Sequence, residues 1–329
     1  MSRVAVVFTG GTISMRHDVA AGGNVPSLDG EEILALTPGL DAIADVLSID
    51  RGLTPASHLG WTDLFAIGAD VAAALTDPSI AGAVVVQGTD TIEETAFFWD
   101  LILDSEKPVV VTGAMRTASD PEFDGPGNLR DAVRVAADPA LRGAGVVVVL
   151  AGSIDPADDV TKTHTSAFDT FRSLNLGLLG WVDDRGVALM RARGPRRRVA
   201  TERAAERVHL VTAHVAMDGA TVDAVVDAGA DGLVVEATGA GNTSRPLLEA
   251  AQRAMGRGLP VALTTRCSAG RATGAYAFPG GGATWLRAGA LPAGYLGGPK
   301  ARVALALGLG AGMANRELAV LLAGPQTGP

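Results

Sequence analysis

Residues 4–14 read Val-Ala-Val-Val-Phe-Thr-Gly-Gly-Thr-Ile-Ser, and the rest of the predicted fold is arranged around this segment. Five apolar residues in a row, with two adjacent β-branched valines, predict a strand that is buried on both faces of a sheet. Two adjacent glycines then let the backbone turn sharply and expose its N–H groups between two threonine hydroxyls. This position, past the carboxyl end of an early central strand, is where α/β proteins bind ligands. An ordinary strand-to-loop turn explains the glycine pair equally well.

Similar apolar strands recur along the first 150 residues and alternate with helix patterns. Strands are predicted at 44–49, 82–86, 107–112 and 146–150, and helices at 63–75, 88–103 and 125–137, with a further helix start at 29–32. Buried strands that alternate with helices specify a mostly parallel sheet covered on both faces. We therefore predict a doubly wound, flavodoxin-like N-terminal α/β domain. The polar segment 15–28 is predicted to be a loop and is a candidate lid over the glycine turn.

The composition changes at 191–207, which holds seven arginines together with Pro195 and two glutamates. We interpret 191–206 as a solvated linker, because its charges are mixed and the whole chain is acidic; a basic patch for phosphate or nucleic acid is the alternative. A smaller α/β pattern follows, with strands at 208–212, 232–235 and 260–264 and helices at 220–227, 244–256 and 300–308. The prediction is a larger N-terminal catalytic domain at 1–190 and a smaller C-terminal α/β domain at 207–329.

Charge, cysteine content and hydropathy argue against several classes of function. A net charge of −9 disfavours nucleic acid or an anionic membrane as the main partner. The single cysteine, Cys267, cannot form an internal disulfide, and the apolar segments are too short to span a bilayer. Residues 1–4 lead into a strand without the basic and apolar regions of a signal peptide. We expect a cytoplasmic protein that binds no nucleic acid and no membrane.

Two polar segments supply a candidate nucleophile and a candidate base. Thr9 and Thr12 flank the glycine pair, but a threonine hydroxyl is a weak nucleophile and needs a base from elsewhere in the fold. Thr161-Lys162-Thr163-His164-Thr165 places a lysine among hydroxyl and imidazole side chains. A solvated lysine is the common explanation, and a lysine that takes a proton from a threonine is the functional one. We interpret His164 as structural, and the five histidines show no metal-ligand spacing.

Gly88-Thr89-Asp90-Thr91 follows the buried strand predicted at 82–86. A carboxylate held there, next to a helix start, could bind the ammonium group of a substrate. A helix capping box, formed by Asp90 with Glu93 or by Thr91 with Glu94, explains the same residue types. The residues alone leave both interpretations open.

In combination, these segments resemble the signatures of the bacterial-type L-asparaginase/glutaminase family. The likeness rests on motifs in order: Thr9-Gly10-Gly11-Thr12-Ile13-Ser14, Gly88-Thr89-Asp90-Thr91-Ile92-Glu93-Glu94-Thr95, residues 107–116 and 124–129, Thr161-Lys162-Thr163, and Gly239-Ala240-Gly241-Asn242. It covers nearly the whole chain, and several ordered motifs are far more specific than a lone Thr-Gly-Gly-Thr. The resemblance implies an amidohydrolase that needs neither metal nor cofactor.

The resemblance also implies roles for four catalytic residues. Thr12 would be the nucleophile that attacks the side-chain amide of L-asparagine and forms a β-aspartyl enzyme. Thr89, Lys162 and Asp90 would form a second set of hydroxyl, amine and carboxylate, in which Lys162 manages the proton by the logic of a triad. Which threonine acts first is open within the family.

Further residues are implied to bind the substrate, an amino-acid amide: Ser57, His58, Gly88, Ala114 and Asn242. Asp90 would hold the α-ammonium group and Ser57 the α-carboxylate. Backbone N–H groups near Thr89 and the carbonyl of Ala114 would surround the reacting amide. Asn242 resembles a residue that family members donate from a neighbouring subunit. A homodimer, often paired into a homotetramer, is therefore the expected assembly.

Three departures from the family pattern bear on activity. The family usually has a tyrosine near the position of Asn24, where it assists Thr12, but the chain's two tyrosines lie far away in sequence. Gln87 stands where histidine is usual, and His58 where glutamine is common. Loss of the tyrosine removes acid–base help worth about 10²-fold or more. The alternatives are a glutaminase, the ammonia-producing subunit of a tRNA amidotransferase, and a catalytically weak protein that binds asparagine or aspartate.

Overall fold

The computed structural model describes residues 2–324 and divides the chain into two compact units, Met1–Gly194 and Pro195–Pro329. An eight-stranded, mostly parallel sheet lies in the first unit and a four-stranded parallel sheet in the second. The predicted fold class, two α/β domains of which the first is larger, is confirmed. Residue 1 and residues 325–329, the ends of the two predicted domains, lie outside the described residues.

The first unit alternates strands and helices through most of its length. Its strands are β1 (Arg3–Phe8), β2 (Met15–Asp18), β3 (Gly23–Pro26), β4 (Asp45–Asp50), β5 (Ile80–Val86), β6 (Val109–Thr112), β7 (Val146–Leu150), β8 (Ser153–Pro156), β9 (Val160–Lys162), β10 (Phe171–Ser173), β11 (Gly180–Asp183) and β12 (Gly186–Leu189). Its helices are α1 (Gly30–Ala35), α2 (Trp61–Thr76), α3 (Ile92–Ile102) and α4 (Gly125–Ala137). The strands and helices predicted up to residue 150 are confirmed, whereas the short strands after residue 150 were not predicted.

The main sheet has the strand order β12-β11-β8-β7-β6-β5-β1-β4. β4, β1, β5, β6 and β7 are parallel, and β8, β11 and β12 continue the sheet antiparallel. The five parallel strands therefore follow the flavodoxin-like order 2-1-3-4-5. The direction of winding reverses between β1 and β5. The crevice outside the carboxyl ends of these two strands is where such a sheet binds its ligand.

The central strand β1 is buried on both faces, as its apolar run predicts. Residues 4–8 are no more than 2% exposed. Val4, Val6 and Phe8 belong to a core cluster that includes Leu129 and Val133 of α4. α2 packs against β1 and β5, and α3 packs against β6 and β7. Helices on both faces thus hold β1 rigidly and fix the position of the glycine turn at its carboxyl end.

Residues 15–26 form a β-hairpin, so the prediction of a loop over 15–28 is wrong for this part. β2 and β3 pair antiparallel, and Asn24 lies opposite His17. All side chains of the two strands are exposed or half-buried, so backbone hydrogen bonds rather than apolar burial hold the hairpin. The hydropathy pattern therefore does not predict the hairpin. The helix start that follows is confirmed, because Asp29 and Glu32 form a reciprocal capping box.

Arg193 is buried, so the prediction of a solvated segment at 191–206 fails at this residue. Its side chain is 4% exposed, and Nη2 lies 2.6 Å from Asp100 Oδ2 and 2.9 Å from Asp158 Oδ1. Nη1 donates a hydrogen bond to the carbonyl of Ala144 at 2.7 Å. A buried carboxylate requires a charged or hydrogen-bonding partner, and Arg193 supplies it to Asp100.

The second unit is a smaller α/β domain. It contains β13 (Val208–Thr212), β14 (Gly232–Ala237), β15 (Val261–Thr265) and β16 (Leu291–Pro292), together with α5 (Ala220–Asp227), α6 (Arg245–Gly256), α7 (Gly282–Arg287), α8 (Gly298–Gly310) and α9 (Asn315–Ala323). The strands are parallel in the order β13-β14-β15-β16. α8 packs against β13, β14 and β15, while apolar residues of α5 and α6 share a second core cluster. The predicted strands and helices are confirmed, and β16, α7 and α9 are additional.

Candidate active site

The loops that follow β1 and β5 meet at the crevice of the main sheet. Gly11 has φ 95°, and a Cβ there would lie 2.1 Å from the Gly88 nitrogen, so the two loops can touch only because both positions are glycine. The Thr9 N–H and hydroxyl both donate to the Val86 carbonyl, at 3.0 and 3.1 Å. Thr9 therefore joins the ends of the two strands. Thr12 is the threonine of this motif that is available for chemistry.

Thr12 begins a 3₁₀ turn, Thr12–Ser14, and is half-buried. Ser14 fixes this turn because its hydroxyl and its N–H both contact the Gly11 carbonyl, at 2.7 and 2.9 Å. Within residues 2–324 the Thr12 hydroxyl has no hydrogen-bond partner. The turn thus presents an unpaired hydroxyl at a fixed position in the crevice.

Neither predicted capping box forms in the loop after β5. Thr91 is the N-cap of α3 but makes no side-chain cap hydrogen bond, and its hydroxyl donates to the Ala56 carbonyl at 3.3 Å. The carboxylate of Glu93 accepts the backbone N–H of Lys162 at 3.1 Å. Asp90 contacts the same lysine through its side chain. The polar residues of this loop therefore contact neighbouring chain segments and do not cap their own helix.

Lys162, at the end of β9, connects the second and third polar segments. Its Nζ lies 2.9 Å from Thr89 Oγ1 and 2.8 Å from Asp90 Oδ1. The lysine side chain is 16% exposed and that of Asp90 75% exposed, while Thr89 is buried. The structure thus brings a hydroxyl, an amine and a carboxylate into direct contact. Such an arrangement orients the amine and allows a proton to pass between it and the hydroxyl.

Two polar residues hold the loop after β6 in place: Asp124, which precedes α4, and Asn128, in its first turn. Asp124 accepts the N–H of Met115 at 3.0 Å, and Asn128 donates to the Gly113 carbonyl at 3.0 Å. Asn128 also donates to Asp124 at 2.9 Å. Ala114, a predicted substrate contact, is fully buried in this loop. The sequence analysis used residues 124–129 only as part of the family resemblance and did not predict that they support the site. The polar Asp124 and Asn128 at the start of a predicted helix could have indicated this role.

Ser57 and His58 lie in a short 3₁₀ turn, Ala56–His58, and both are exposed. The turn adjoins the loop after β5, because a Cβ on Gly88 would lie 2.8 Å from Ala56 Cβ. The hydroxyl of Thr91 bonds to the same turn. Two predicted binding residues therefore lie beside the segment that carries Thr89 and Asp90.

Two further predicted residues of the first unit lie outside this arrangement. Gln87 is buried. Its amide Nε2 donates to the Gly88 carbonyl at 3.2 Å and its Oε1 accepts the Thr95 hydroxyl at 3.0 Å, so both polar atoms of the amide are used in buried hydrogen bonds. Asn24 is exposed on β3. Asn242 belongs to the second unit, where its backbone carbonyl accepts the Thr238 N–H, and its Oδ1 is buried without a partner among residues 2–324.

A cleft of about 290 Å³ opens beside Lys162. Its lining residues are Asp90, Lys162, Thr163, His164 and Thr165. Among residues 2–324, no three His, Cys, Asp or Glu side chains could together hold a metal ion. No helix in that part of the chain is long and apolar enough to cross a membrane. A cleft with an amine, a carboxylate and several hydroxyls suits a small polar ligand that carries both signs of charge.

Comparison with known families covers both units. The family described as asparaginase, N-terminal, matches residues 3–193, and the glutaminase/asparaginase C-terminal domain matches residues 207–322. The chain belongs to the asparaginase family. The resemblance carried by the ordered motifs is thereby confirmed.

Individual relatives agree with this assignment. A probable L-asparaginase of Deinococcus radiodurans is 36% identical over 97% of this chain and 96% of its own length. A probable periplasmic L-asparaginase of Haemophilus influenzae is 32% identical over 83% of this chain and 80% of its own. The crystal structure of a probable cytoplasmic L-asparaginase from Campylobacter jejuni superposes with a TM-score of 0.88 at 26% identity, covering 98% of this chain and 99% of that one.

Proposed function

We propose that this chain is an L-asparaginase, which hydrolyses the side-chain amide of L-asparagine to L-aspartate and ammonia. The observation that carries the proposal is the contact of Lys162 Nζ with both Thr89 Oγ1 and Asp90 Oδ1, at 2.9 and 2.8 Å. The relatives of Deinococcus radiodurans and Campylobacter jejuni, each named a probable L-asparaginase, support the same substrate.

The first half-reaction acylates Thr12. Its oxygen attacks the carbonyl carbon of the side-chain amide, and the C–N bond breaks. The hydroxyl proton ends on the departing nitrogen, so ammonia leaves and a β-aspartyl ester remains on Thr12. The unpaired Thr12 hydroxyl supports this role because no hydrogen bond within residues 2–324 must first be broken.

The second half-reaction returns the enzyme to its starting state. Water adds to the ester carbonyl, the bond to Thr12 breaks, and aspartate leaves as the hydroxyl regains its proton. Thr89, Lys162 and Asp90 act as a relay: the amine exchanges a proton with the Thr89 hydroxyl and the carboxylate orients the amine. No metal or cofactor takes part in either half.

Substrate binding uses the residues around this relay. The exposed carboxylate of Asp90 holds the α-ammonium group, and Ser57, with His58 beside it, holds the α-carboxylate. The backbone at Gly88 and the carbonyl of Ala114 contact the reacting amide. Charge complementarity between Asp90 and an ammonium group supports this orientation.

The assembly we propose is a homodimer or homotetramer in which Asn242 completes a neighbouring subunit's site. Several exposed apolar side chains on the first unit support self-association, among them Leu176, Trp181 and Met190, which are 50%, 47% and 72% exposed. Light scattering on the purified chain tests this: a dimer or tetramer is expected, and a monomer at micromolar concentration would contradict it.

We also propose a cytoplasmic location. The Campylobacter jejuni structure is named as cytoplasmic, whereas the Haemophilus influenzae relative is named as periplasmic. Cell fractionation tests the proposal, and ammonia release from asparagine in the cytoplasmic fraction is the expected result.

The decisive experiment for the reaction compares Thr12→Ala and Thr89→Ala with Thr76→Ala, an exposed threonine on α2. The first two are expected to abolish ammonia release from asparagine, and the third to retain it. Near-normal turnover in both site variants would overturn the mechanism. Faster turnover of glutamine than of asparagine would indicate a glutaminase. Calorimetric binding of asparagine by the wild-type chain without ammonia release would indicate a binding protein.

A further inference from the structure

Lys162 lies on a small hairpin outside the main sheet. β9, which ends at Lys162, pairs antiparallel with β10, and the two strands form a separate two-stranded sheet. Beyond Lys162 the hairpin is closed by Thr163, whose N–H and hydroxyl both donate to the Thr170 carbonyl, at 2.7 and 2.8 Å. A two-stranded hairpin is by itself only marginally stable. The position of the lysine therefore depends on how the base of this hairpin is held.

The carboxylate of Asp159 holds that base together. Asp159 directly precedes β9 and is 7% exposed. Its Oδ1 accepts the side-chain amide of Asn175 at 3.0 Å, and its Oδ2 accepts the Leu176 N–H at 2.6 Å. The backbone N–H of Asn175 lies 3.1 Å from both oxygens. A carboxylate only accepts hydrogen bonds, and three donors from the chain that leaves β10 converge on this one.

The base of the hairpin is also tied to the main sheet. The Asp159 N–H donates to the Pro156 carbonyl at 3.1 Å, in a turn directly after β8. Ser173 of β10 adds a second contact with β8, because its hydroxyl donates to Asp155 at 2.7 Å. Asp159 thus joins the chain that enters the hairpin, the chain that leaves it and a strand of the main sheet.

We propose that Asp159 is a positioning residue, whose carboxylate holds the β9–β10 hairpin so that Lys162 Nζ stays in hydrogen-bond contact with Thr89. The proposal rests on the role given to Lys162 in the proposed function. The contact that must be kept is 2.9 Å long. Proton exchange between the amine and the hydroxyl requires a separation of about 2.6–3.2 Å, so a shift of the hairpin by about 1 Å would interrupt it.

The other groups of the site lie on different segments. Ser57 lies in the turn Ala56–His58, and Thr12 begins the turn after β1. Displacement of the hairpin would therefore move the proton carrier and leave these two residues in place. Such a change is expected to lower kcat more than it raises KM.

Two variants remove the carboxylate to different extents. Asp159→Asn keeps the size of the side chain and replaces one acceptor oxygen by an NH2 group, which would face the N–H donors of residues 175 and 176. Asp159→Ala removes both acceptors. Asp183→Asn is the matched control, because Asp183 is an exposed carboxylate of the same unit that accepts the Arg185 N–H at 2.8 Å between β11 and β12.

Ammonia release from asparagine gives the first readout. The kcat of D159N is expected to fall about tenfold and that of D159A up to about 10²-fold, as for a misplaced catalytic group. The KM of each should stay within about threefold of the wild type, and D183N should match the wild type in both constants. D159N keeps the packing and decides the test if D159A does not fold. A wild-type kcat in D159N would overturn the proposal.

A double-mutant cycle with Lys162→Met separates positioning from a general loss of structure. If Asp159 acts through the lysine, its substitution has nothing left to misplace once the amine is gone. The kcat of the K162M/D159N double variant, measured at high enzyme concentration, should then lie within about twofold of that of K162M. An equal fold-loss in both backgrounds would overturn the proposal, because destabilisation of the fold does not require Lys162.

Hydrogen exchange at the Lys162 amide gives a readout that needs no activity. This N–H donates to Glu93 at 3.1 Å. It should exchange about tenfold faster in D159N than in the wild type or D183N at the same pH. Equal exchange in the three proteins would overturn the positioning role. Faster exchange in D159N, in a protein whose wild type releases no ammonia, would sustain the effect of Asp159 on Lys162 while refuting the proposed function.

Discussion

Lys162 and Arg193 are two cations of the same unit, each held between acceptors, and they differ in exposure. Lys162 contacts Asp90 at 2.8 Å, and Arg193 contacts Asp100 at 2.6 Å. The side chain of Asp90 is 75% exposed, whereas that of Asp100 is 2% exposed. The two ion pairs therefore have similar distances, but one lies at an open cleft and the other in the core.

An ion pair alone therefore does not distinguish a structural cation such as Arg193 from a proposed catalytic one such as Lys162. The difference between them is burial. Burial lowers the pKa of Arg193, but Asp100 and Asp158 outweigh it and raise the pKa, so this side chain stays charged. A buried pair cannot exchange a partner for a ligand without leaving a charge unpaired. The open pair at Lys162 contributes about 0–1 kcal/mol to folding, and its exposed carboxylate is the group that we propose to bind the substrate ammonium.

The largest expected effect comes from Lys162→Met. Removal of the amine should lower kcat/KM for asparagine by about 10³-fold, since the relay loses its proton carrier. The melting temperature should change little, because an open pair adds little stability. Lys107→Met is the control, as Lys107 Nζ donates to the backbone carbonyls of Leu75 and Asp77. Activity of K162M within tenfold of the wild type would refute the catalytic half of the comparison.

Arg193→Met should have the opposite effect: it should lower stability and leave activity nearly unchanged. Loss of the buried cation removes the positive charge that lies between the carboxylates of Asp100 and Asp158, so the free energy of unfolding should fall by about 3–5 kcal/mol. Where the variant is still folded, its kcat should remain near that of the wild type. Arg207→Met, at an exposed pair with Asp231, should change stability by less than about 0.5 kcal/mol. Equal denaturation midpoints for the two arginine variants would show that burial does not matter here.

Glu93→Ala tests whether the Glu93 carboxylate positions Lys162, and its expected effect is smaller. The carboxylate holds the Lys162 N–H, and its loss should lower kcat about fivefold, as expected for one hydrogen bond. Glu93→Gln keeps an acceptor and should restore most of the rate. If E93A and E93Q have the same kcat, the contact does not position Lys162.

The smallest effect is expected at Asp155, a buried carboxylate in β8. Burial raises its pKa, and hydrogen bonds from Ser173 and Ser153 oppose the rise. The folded state thus holds this proton more tightly than the unfolded state, and ionisation costs stability above the folded pKa. Asp155→Asn should therefore stabilise by about 1 kcal/mol near pH 7. The gain should shrink as the pH falls towards 4 and be absent in the exposed control Asp41→Asn; a gain independent of pH would contradict this.

Local sequence predicted the parts of the molecule that depend on local patterns. The apolar run before Thr9 predicted a strand buried on both faces, and the alternation of strands and helices predicted the parallel sheet. A ligand site past the carboxyl end of the first strand was predicted from that strand alone, whereas the strand order that places β5 beside β1 was not predicted. Thr89 and Asp90 came into consideration because they end a buried strand. Their contact with Lys162 joins residues more than 70 positions apart, and only the family resemblance brought it forward.

The features that were missed depend on long-range partners. Arg193 reads as one of seven arginines in a charged segment, and its partner Asp100 lies 93 positions earlier. Glu93 has the spacing of a capping box, yet its partner is 69 positions away. The hairpin of β2 and β3 carries a weak apolar pattern, because none of its side chains is buried. The strands after residue 150 are only three or four residues long, too short for a clear pattern.

The most direct test of the central claim is where the acyl group resides during turnover. The enzyme would be mixed with asparagine, quenched in acid and digested, and its peptides weighed by mass spectrometry. The predicted result is an aspartyl group on the peptide that contains Thr12 in the wild type, and its absence in Thr12→Ala. An aspartyl group on the peptide that contains Thr89, or on neither peptide while ammonia is released, would contradict the account.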